Sequence, residues 1–146
     1  MKEGTKPMST FTMEHLNPEG LFRSEAFSQA IAVTGRAKTI YIGGQNAIDS
    51  KGELIGVGDL ELQSRQALHN IKTILAAENA SFADLVKLNI YLVSGSDPRI
   101  GYKTFQEMAG SLDNPPLVTV LFVSEFASRP SCLLEIDGIA VIEDKD

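Results

Sequence analysis

The sequence predicts one α+β domain in which two helices cover one face of a sheet, in the order β-β-α-β-α-β-β. Three observations carry this. Two C-terminal apolar runs, Leu117 to Val123 and Cys132 to Ile142, are rich in β-branched residues and bounded by proline or charge, so they read as strands. Two segments show helical periodicity, one after Asp59 and one after Asp97. Strict alternation marks Phe27 to Thr34 and Val86 to Leu92 as further strands. At 146 residues the chain suits one core, over residues 21–146, behind an N-terminal arm at residues 1–20.

The arm is polar and without clear period, punctuated by Gly4, Pro7, Pro18 and Gly20, and is expected to be loosely held at its beginning. Either Met1 or Met8 can start the native chain. From Phe27 the residues Phe27, Gln29, Ile31 and Val33 alternate with Ser28, Ala30, Ala32 and Thr34. A turn at Gly35 to Lys38 returns the chain along Thr39 to Gly43, so a hairpin is expected. The second strand ends at Gly43-Gly44-Gln45. Two readings stay open for the glycines: backbone dihedrals that other residues avoid, or close approach of a ligand to bare backbone.

Asp59 is placed to cap a helix running to about Glu78, with Leu60, Ala67, Leu68, Ile71, Ile74 and Leu75 on its inner stripe. His69 lies beside that stripe, and His15 is far away in the arm, so no metal pair is expected. Ser81 to Asp84 is a capping-box variant opening a short turn of helix. Val86, Leu88, Ile90 and Leu92 then alternate with Lys87, Asn89 and Tyr91. Asp97-Pro98 opens the second helix, whose inner face is Gly101, Phe105, Met108, Ala109 and Leu112, and Asp113 to Pro116 is expected to stop it. The strand Leu117 to Val123 is apolar on both faces except at Thr119. Two helices cover only one side of such a sheet, so a second copy of the chain is expected against the other.

Bulk properties narrow the function. A net charge of −6, with thirteen Lys and Arg that form no cluster, argues against a general nucleic-acid binder. The lone Cys132 allows no internal disulfide and reads as a small buried core residue. No apolar run approaches the roughly 18 residues of a membrane span, and no signal pattern opens the chain. A cytoplasmic protein is expected. The sequence contains no phosphate loop, metal-ligand cluster or serine-nucleophile elbow, so no metal or cofactor is expected.

The last strand holds the feature that needs explaining. Glu135 and Asp137 are two apart and share a face of it. They are either a structural acidic face, paired with Lys87 or Arg36, or the working groups of a site, where a half-buried glutamate suits general acid or base chemistry.

The run Phe27-Ser28-Gln29-Ala30, the strand end Gly43-Gly44-Gln45 and the closing Glu135-Ile136-Asp137-Gly138-Ile139-Ala140 together resemble the Rid family, also called YjgF-like, from about Leu21 to Ile142. The resemblance implies a chorismate-mutase-like fold and a homotrimer whose sheets line a central barrel, with helices outside and ligand clefts between subunits. Characterised members hydrolyse enamines and imines derived from amino acids to ketoacids and ammonia, without metal or organic cofactor. In them a glutamate of the closing motif positions water, an arginine at the start of the penultimate strand grips the substrate carboxylate, and a tyrosine and an asparagine help line the cleft.

Carried onto this chain, the water-positioning glutamate is Glu135, and Gly43 and Gly44 form the strand end at the cleft. Phe27 takes the tyrosine position without its hydroxyl, Tyr102 takes the asparagine position, and Leu117 stands where the arginine would be. Leucine offers no fork to a carboxylate, so a neutral or weakly polar substrate is expected. Arg129, on the connection between the last two strands, is the candidate substitute cation. The resemblance also leaves two rivals to a hydrolase: a non-catalytic ligand-sensing or chaperone-like trimer, and an endoribonuclease, which the acidic net charge disfavours.

Overall fold

In the computed structural model of the chain, which describes residues 10–127 and 129–146, six strands form two sheets and two helices cover the larger one. The small sheet pairs β1 (Thr12–Leu16) antiparallel with β2 (Ala30–Thr34). The large sheet has the spatial order β3 (Ala37–Gln45), β6 (Leu134–Glu143), β4 (Leu85–Val93), β5 (Leu117–Val123). All its pairs are antiparallel except β4 and β5. That parallel pair requires a crossover, which α2 (Pro98–Ala109) supplies. Helix α1 (Leu60–Ala76) packs beside α2 over β3 and β6.

The first correction concerns the arm. The alternation of half-buried Met13 and His15 with exposed Thr12 and Glu14 makes β1 a strand, and it takes the edge of β2 in register from Thr12↔Thr34 to Leu16↔Ala30. The expected hairpin of β2 with β3 therefore gives way to a β1–β2 pair, while β3 pairs with β6. Gly35 makes the bend between β2 and β3 at φ +93°, and a Cβ there would lie 2.8 Å from the Thr10 carbonyl oxygen. The turn is thus covered by the arm. Residues 1–9, with both candidate start methionines, lie outside the described residues.

Phe27 to Gln29 also fall outside β2, because their polar groups are used elsewhere. The Ser28 amide and hydroxyl donate to the carbonyls of Pro116 and Pro115 at 3.2 and 2.7 Å, and the Gln29 amide donates to Asn17 Oδ1 at 3.1 Å. With the serine proton committed to Pro115, His15 Nδ1 at 2.9 Å from Ser28 Oγ is the donor. This buried knot fastens the loop to the start of β5.

Both helix starts agree with expectation. Asp59 accepts from the Leu62 amide and Asp97 from the Arg99 amide, with Pro98 in the first turn. Ser81 and Asp84 close a capping box on the short 3₁₀ turn Phe82–Asp84. Helix α2 stops earlier than expected, at Gly110, whose φ of +72° with extended ψ is a conformation open to glycine and turns the chain out before the prolines are reached.

The core lies between the helices and the even-numbered side chains of β4 and β6: Leu68, Ile71 and Leu75 against Leu88, Leu134 and Ile136. Burying Ile71 and Leu75 completely is worth about 1.5–3 kcal/mol each. Gln63, fully buried on α1, donates from Nε2 to the carbonyls of Gly56 and Ser131 (both 3.1 Å) and accepts from the Leu133 amide at 2.8 Å. It sews the helix to the chain entering β6. Gly138 marks another tight contact, since a Cβ there would lie 2.5 Å from the Lys87 carbonyl oxygen, where the β4–β6 register shifts.

Candidate functional site

Strand β6 divides its side chains as the alternation requires. Leu134, Ile136, Gly138 and Ala140 are buried toward the helices, while Glu135, Asp137 and Ile139 are half-buried on the helix-free face. The register of β4 and β5 sets what lies beside them. Tyr91 faces Glu135, Asn89 faces Asp137, and Lys87 faces Ile139. On the other side of β4, these three face Leu121, Thr119 and Leu117. The helix-free face therefore carries three rungs across the sheet, two of them centred on carboxylates.

Within this cluster Asn89 Nδ2 donates to Asp137 Oδ1 at 2.7 Å. The Asp137 carboxylate beside Tyr91 pushes its phenol above the usual tyrosine range, with burial and Glu135 adding to the effect. Tyr91 therefore keeps its proton at neutral pH and is available as a donor. Glu135 itself lies against Gly44, where a Cβ would be 2.8 Å from its Cδ and 3.0 and 3.1 Å from its two oxygens. The β3–β6 register shifts between Ile42 and Gln45, so the bulge presents bare backbone to the carboxyl. Neither Gly43 nor Gly44 has positive φ, which removes the dihedral reading. A Cβ on Gly44 would displace the carboxyl from its place, whereas a Cβ on Gly43 would meet nothing within 4 Å.

The bland alternatives for the acids fare differently. Among the described residues neither Glu135 nor Asp137 joins an ion pair, and Arg36 pairs with Asp144 at 3.8 Å instead. Arg129 donates to the Gly52 carbonyl at 3.1 Å and, among the described residues, forms no ion pair with either acid. The cation on this face is Lys87, half-buried, without an ion pair among the described residues, and directly opposite Leu117. Cys132 is fully buried and burial pushes its thiol up, which fits a core residue. No group of His, Cys, Asp and Glu able to hold a metal occurs among the described residues, and His69 is exposed.

The six site residues taken from the sequence do not converge in one chain. Glu135 and Gly44 touch, with Gly43 beside them. Leu117 shares their face but stands two rungs along and two strands across, on the order of 16 Å from Glu135 by sheet spacing. Phe27 and Tyr102 lie on the opposite side of the sheet, where they line an apolar cavity of about 210 Å³ under the helices. A larger hollow of about 440 Å³ adjoins it through Tyr102 and Phe105, is bordered by Arg23, Glu25 and Asp113, and does not include Glu135. Spacing in the sequence gives Tyr91 and Asn89 no role. Their signal was the polar side of the alternation from Val86 to Leu92, which gains meaning only once β4 is set beside β6.

Comparison with known proteins agrees with this architecture. The family described as Endoribonuclease L-PSP matches residues 21–142. A RutC family protein of Pyrococcus horikoshii is 34% identical over 117 residues, covering 80% of this chain and 87% of that protein. A 2-iminobutanoate/2-iminopropanoate deaminase of Dermatophagoides farinae is 29% identical over 117 residues, covering 80% and 86%. Among solved structures, a protein of unknown function of the conserved Rid family, YyfB from Yersinia pestis, superimposes with a TM-score of 0.76 at 32% identity, covering 89% of this chain and 98% of that one. No helix among the described residues is long and apolar enough to cross a membrane.

Proposed function

Because the chain belongs to the Endoribonuclease L-PSP family, the YjgF/RutC/Rid group, we propose that it is a small-molecule hydrolase acting on an enamine, imine or related C–N bond, in clefts shared between copies of the chain. The observation that carries this is the Glu135 carboxyl, half-buried, unpaired by any cation among the described residues, and set against the bare backbone of Gly44. Some relatives bear the name 2-iminobutanoate/2-iminopropanoate deaminase, which supplies the reaction class. Glu135 takes a proton from water as the water oxygen bonds to the C=N carbon and passes it to the nitrogen, giving a carbinolamine; it then relays the hydroxyl proton to the nitrogen as the C–N bond breaks, leaving a carbonyl and ammonia or an amine. Tyr91, holding its proton, is placed to donate beside it.

In this reading the cleft draws on two copies: Glu135 and Leu117 stand too far apart in one chain to meet one small molecule, so a cleft that uses both takes them from different copies. Leu121 (53% exposed) on the helix-free face and Phe122 (54%) at the edge of β5 are apolar surface that such an assembly would cover. We assign three copies, by the family pattern.

The substrate in this reading is neutral or weakly polar, since Leu117 gives a carboxylate nothing to bind. Lys87 favours a second reading, in which its ammonium, directly across from Leu117, takes the anionic end of a carboxylated imine. Imines generated in situ by an amine oxidase and by an amino-acid oxidase separate the two. Acceleration of ammonia release from neutral imines, reduced by about 10²-fold or more in Glu135→Gln, is the expected result. Turnover confined to carboxylated imines and lost in Lys87→Met selects the second reading. Binding without turnover on either panel selects a ligand-sensing role. An acidic net charge and a cleft face bearing Glu135 and Asp137 weigh against RNA as substrate.

A further inference from the structure

The geometry points to a second binding site on the opposite side of the sheet: the apolar cavity under the helices takes a small neutral molecule, an aromatic ring bearing one hydrogen-bonding group, which Ser64 recognises. Ser64 lies on the buried stripe of α1, is 0% exposed, and its hydroxyl is the buried side-chain polar atom left without a hydrogen-bond partner among the described residues. It lines the cavity, whose remaining walls include Leu68, Leu88, Ile90 and Ile136. Across from it on α2 stands Gly101, which also lines the cavity and where an added Cβ would make ordinary van der Waals contact with Ser64 Oγ at 3.9 Å.

Size and chemistry then restrict the occupant. An apolar protein cavity of about 150 Å³ is known to hold benzene. A cavity of about 210 Å³ therefore takes a ring with about two further heavy atoms. Among the described residues no Asp, Glu, Lys, Arg or His lines it, so a charged ligand would be buried without compensation. Water is a poor occupant because it needs two to four polar partners, and Ser64 is the buried hydroxyl available. Tyr102 stands at the rim, 44% exposed, with its phenol already accepting from Gln106 Nε2 at 3.1 Å. Val120, 43% exposed, forms the rim on β5. Phe27 and Tyr102, the positions that the resemblance puts at the family's cleft, also line this cavity, but its lining residues on β4, β5 and β6 are the even-numbered ones, so it lies on the other side of the sheet from Glu135 and binding there does not depend on turnover at Glu135.

Titration of the full chain with phenol, toluene and benzoate, followed by methyl NMR, tests the assignment. Phenol is expected to shift the methyls of Leu68, Ile90 and Val120, toluene to bind about two- to tenfold more weakly, and benzoate not to shift those methyls. In Ser64→Ala, phenol and toluene are expected to bind equally. Val120→Trp, a substitution at an exposed rim position, is expected to block entry of both and provides a check that does not require altering the buried serine. The assignment is overturned if phenol leaves these methyls unmoved, if phenol and toluene bind the wild-type chain equally, or if Ser64→Ala preserves the preference for phenol.

Discussion

Gln63 offers the most direct test of how the fold holds its candidate site. Its amide makes three hydrogen bonds at 2.8–3.1 Å to Gly56, Ser131 and Leu133, in full burial, and the last two partners lead straight into β6 and Glu135. Gln63→Leu keeps the volume roughly constant and removes all three bonds. At about 0.5–1.5 kcal/mol net per bond, with a further cost for each polar group left buried and unpaired, the loss comes to about 3 kcal/mol. Gln63→Glu discriminates better. Its carboxylate still accepts from the Leu133 amide, but its second oxygen now faces two carbonyl oxygens where an NH₂ stood, so at neutral pH it is expected to cost more than leucine. Burial raises the pKa of this introduced acid. Its protonated form can donate to one of the carbonyls, so the deficit shrinks as pH falls toward the ordinary glutamate value of about 4.3 and grows as pH rises through the raised one. The chain has no tryptophan, so urea unfolding is followed by circular dichroism, at matched protein concentration because assembly contributes to stability. A Gln63→Leu variant within about 0.5 kcal/mol of wild type, or a Gln63→Glu variant the more stable of the two at neutral pH, would refute the reasoning.

Three further outcomes are expected. Gly44→Ala places a Cβ 2.8 Å from Glu135 Cδ; the carboxyl is the free end of a side chain and moves aside, so stability should hold while turnover or ligand binding at that face falls about tenfold or more, and Gly43→Ala should change neither. Gly138→Ala, whose Cβ would lie 2.5 Å from the rigid Lys87 carbonyl, should lose several kcal/mol in the same denaturation assay, on the order of other backbone clashes. Phenolate absorbance, compared between wild type and Tyr91→Phe, should show Tyr91 ionising above the usual tyrosine pH, and Asp137→Asn should bring it down. Because the folded-state pKa is raised, the associated stability is present below about pH 10 and lost as pH rises through the folded value.

What could be read from the sequence divides by the range of the interaction. Asp59, Asp97-Pro98 and Ser81 to Asp84 announce their helix starts because a cap is satisfied within three residues. The facing of Glu135 and Asp137 was legible for the same reason, since alternation along one strand is a local rule. Strand partnership is not local. The arm residues Met13 and His15 alternate over too short and polar a run to declare a strand before β2 is there to receive it. Asn89 and Tyr91 look like any solvent face until the β4–β6 register sets them against the acids. Phe27, Tyr102 and Leu117 were grouped with Glu135 by likeness to a family; one chain separates them across two faces of a sheet, which no spacing in sequence can reveal. Gln63 and Ser64 were hidden in a stripe read only for its apolar members.

The edge position of β5 bears on how the chain reaches its native state. Its seven residues, LVTVLFV, contain no charge and no proline, and three of its apolar side chains remain open to solvent in a single copy. Among the described residues its one partner in the sheet is β4, reached by a crossover through α2 rather than by a tight turn, so its pairing is non-local in sequence. Until that pairing is made, an uncharged apolar edge of this kind is a template for the wrong neighbours, so correct closure competes with strand-to-strand clumping.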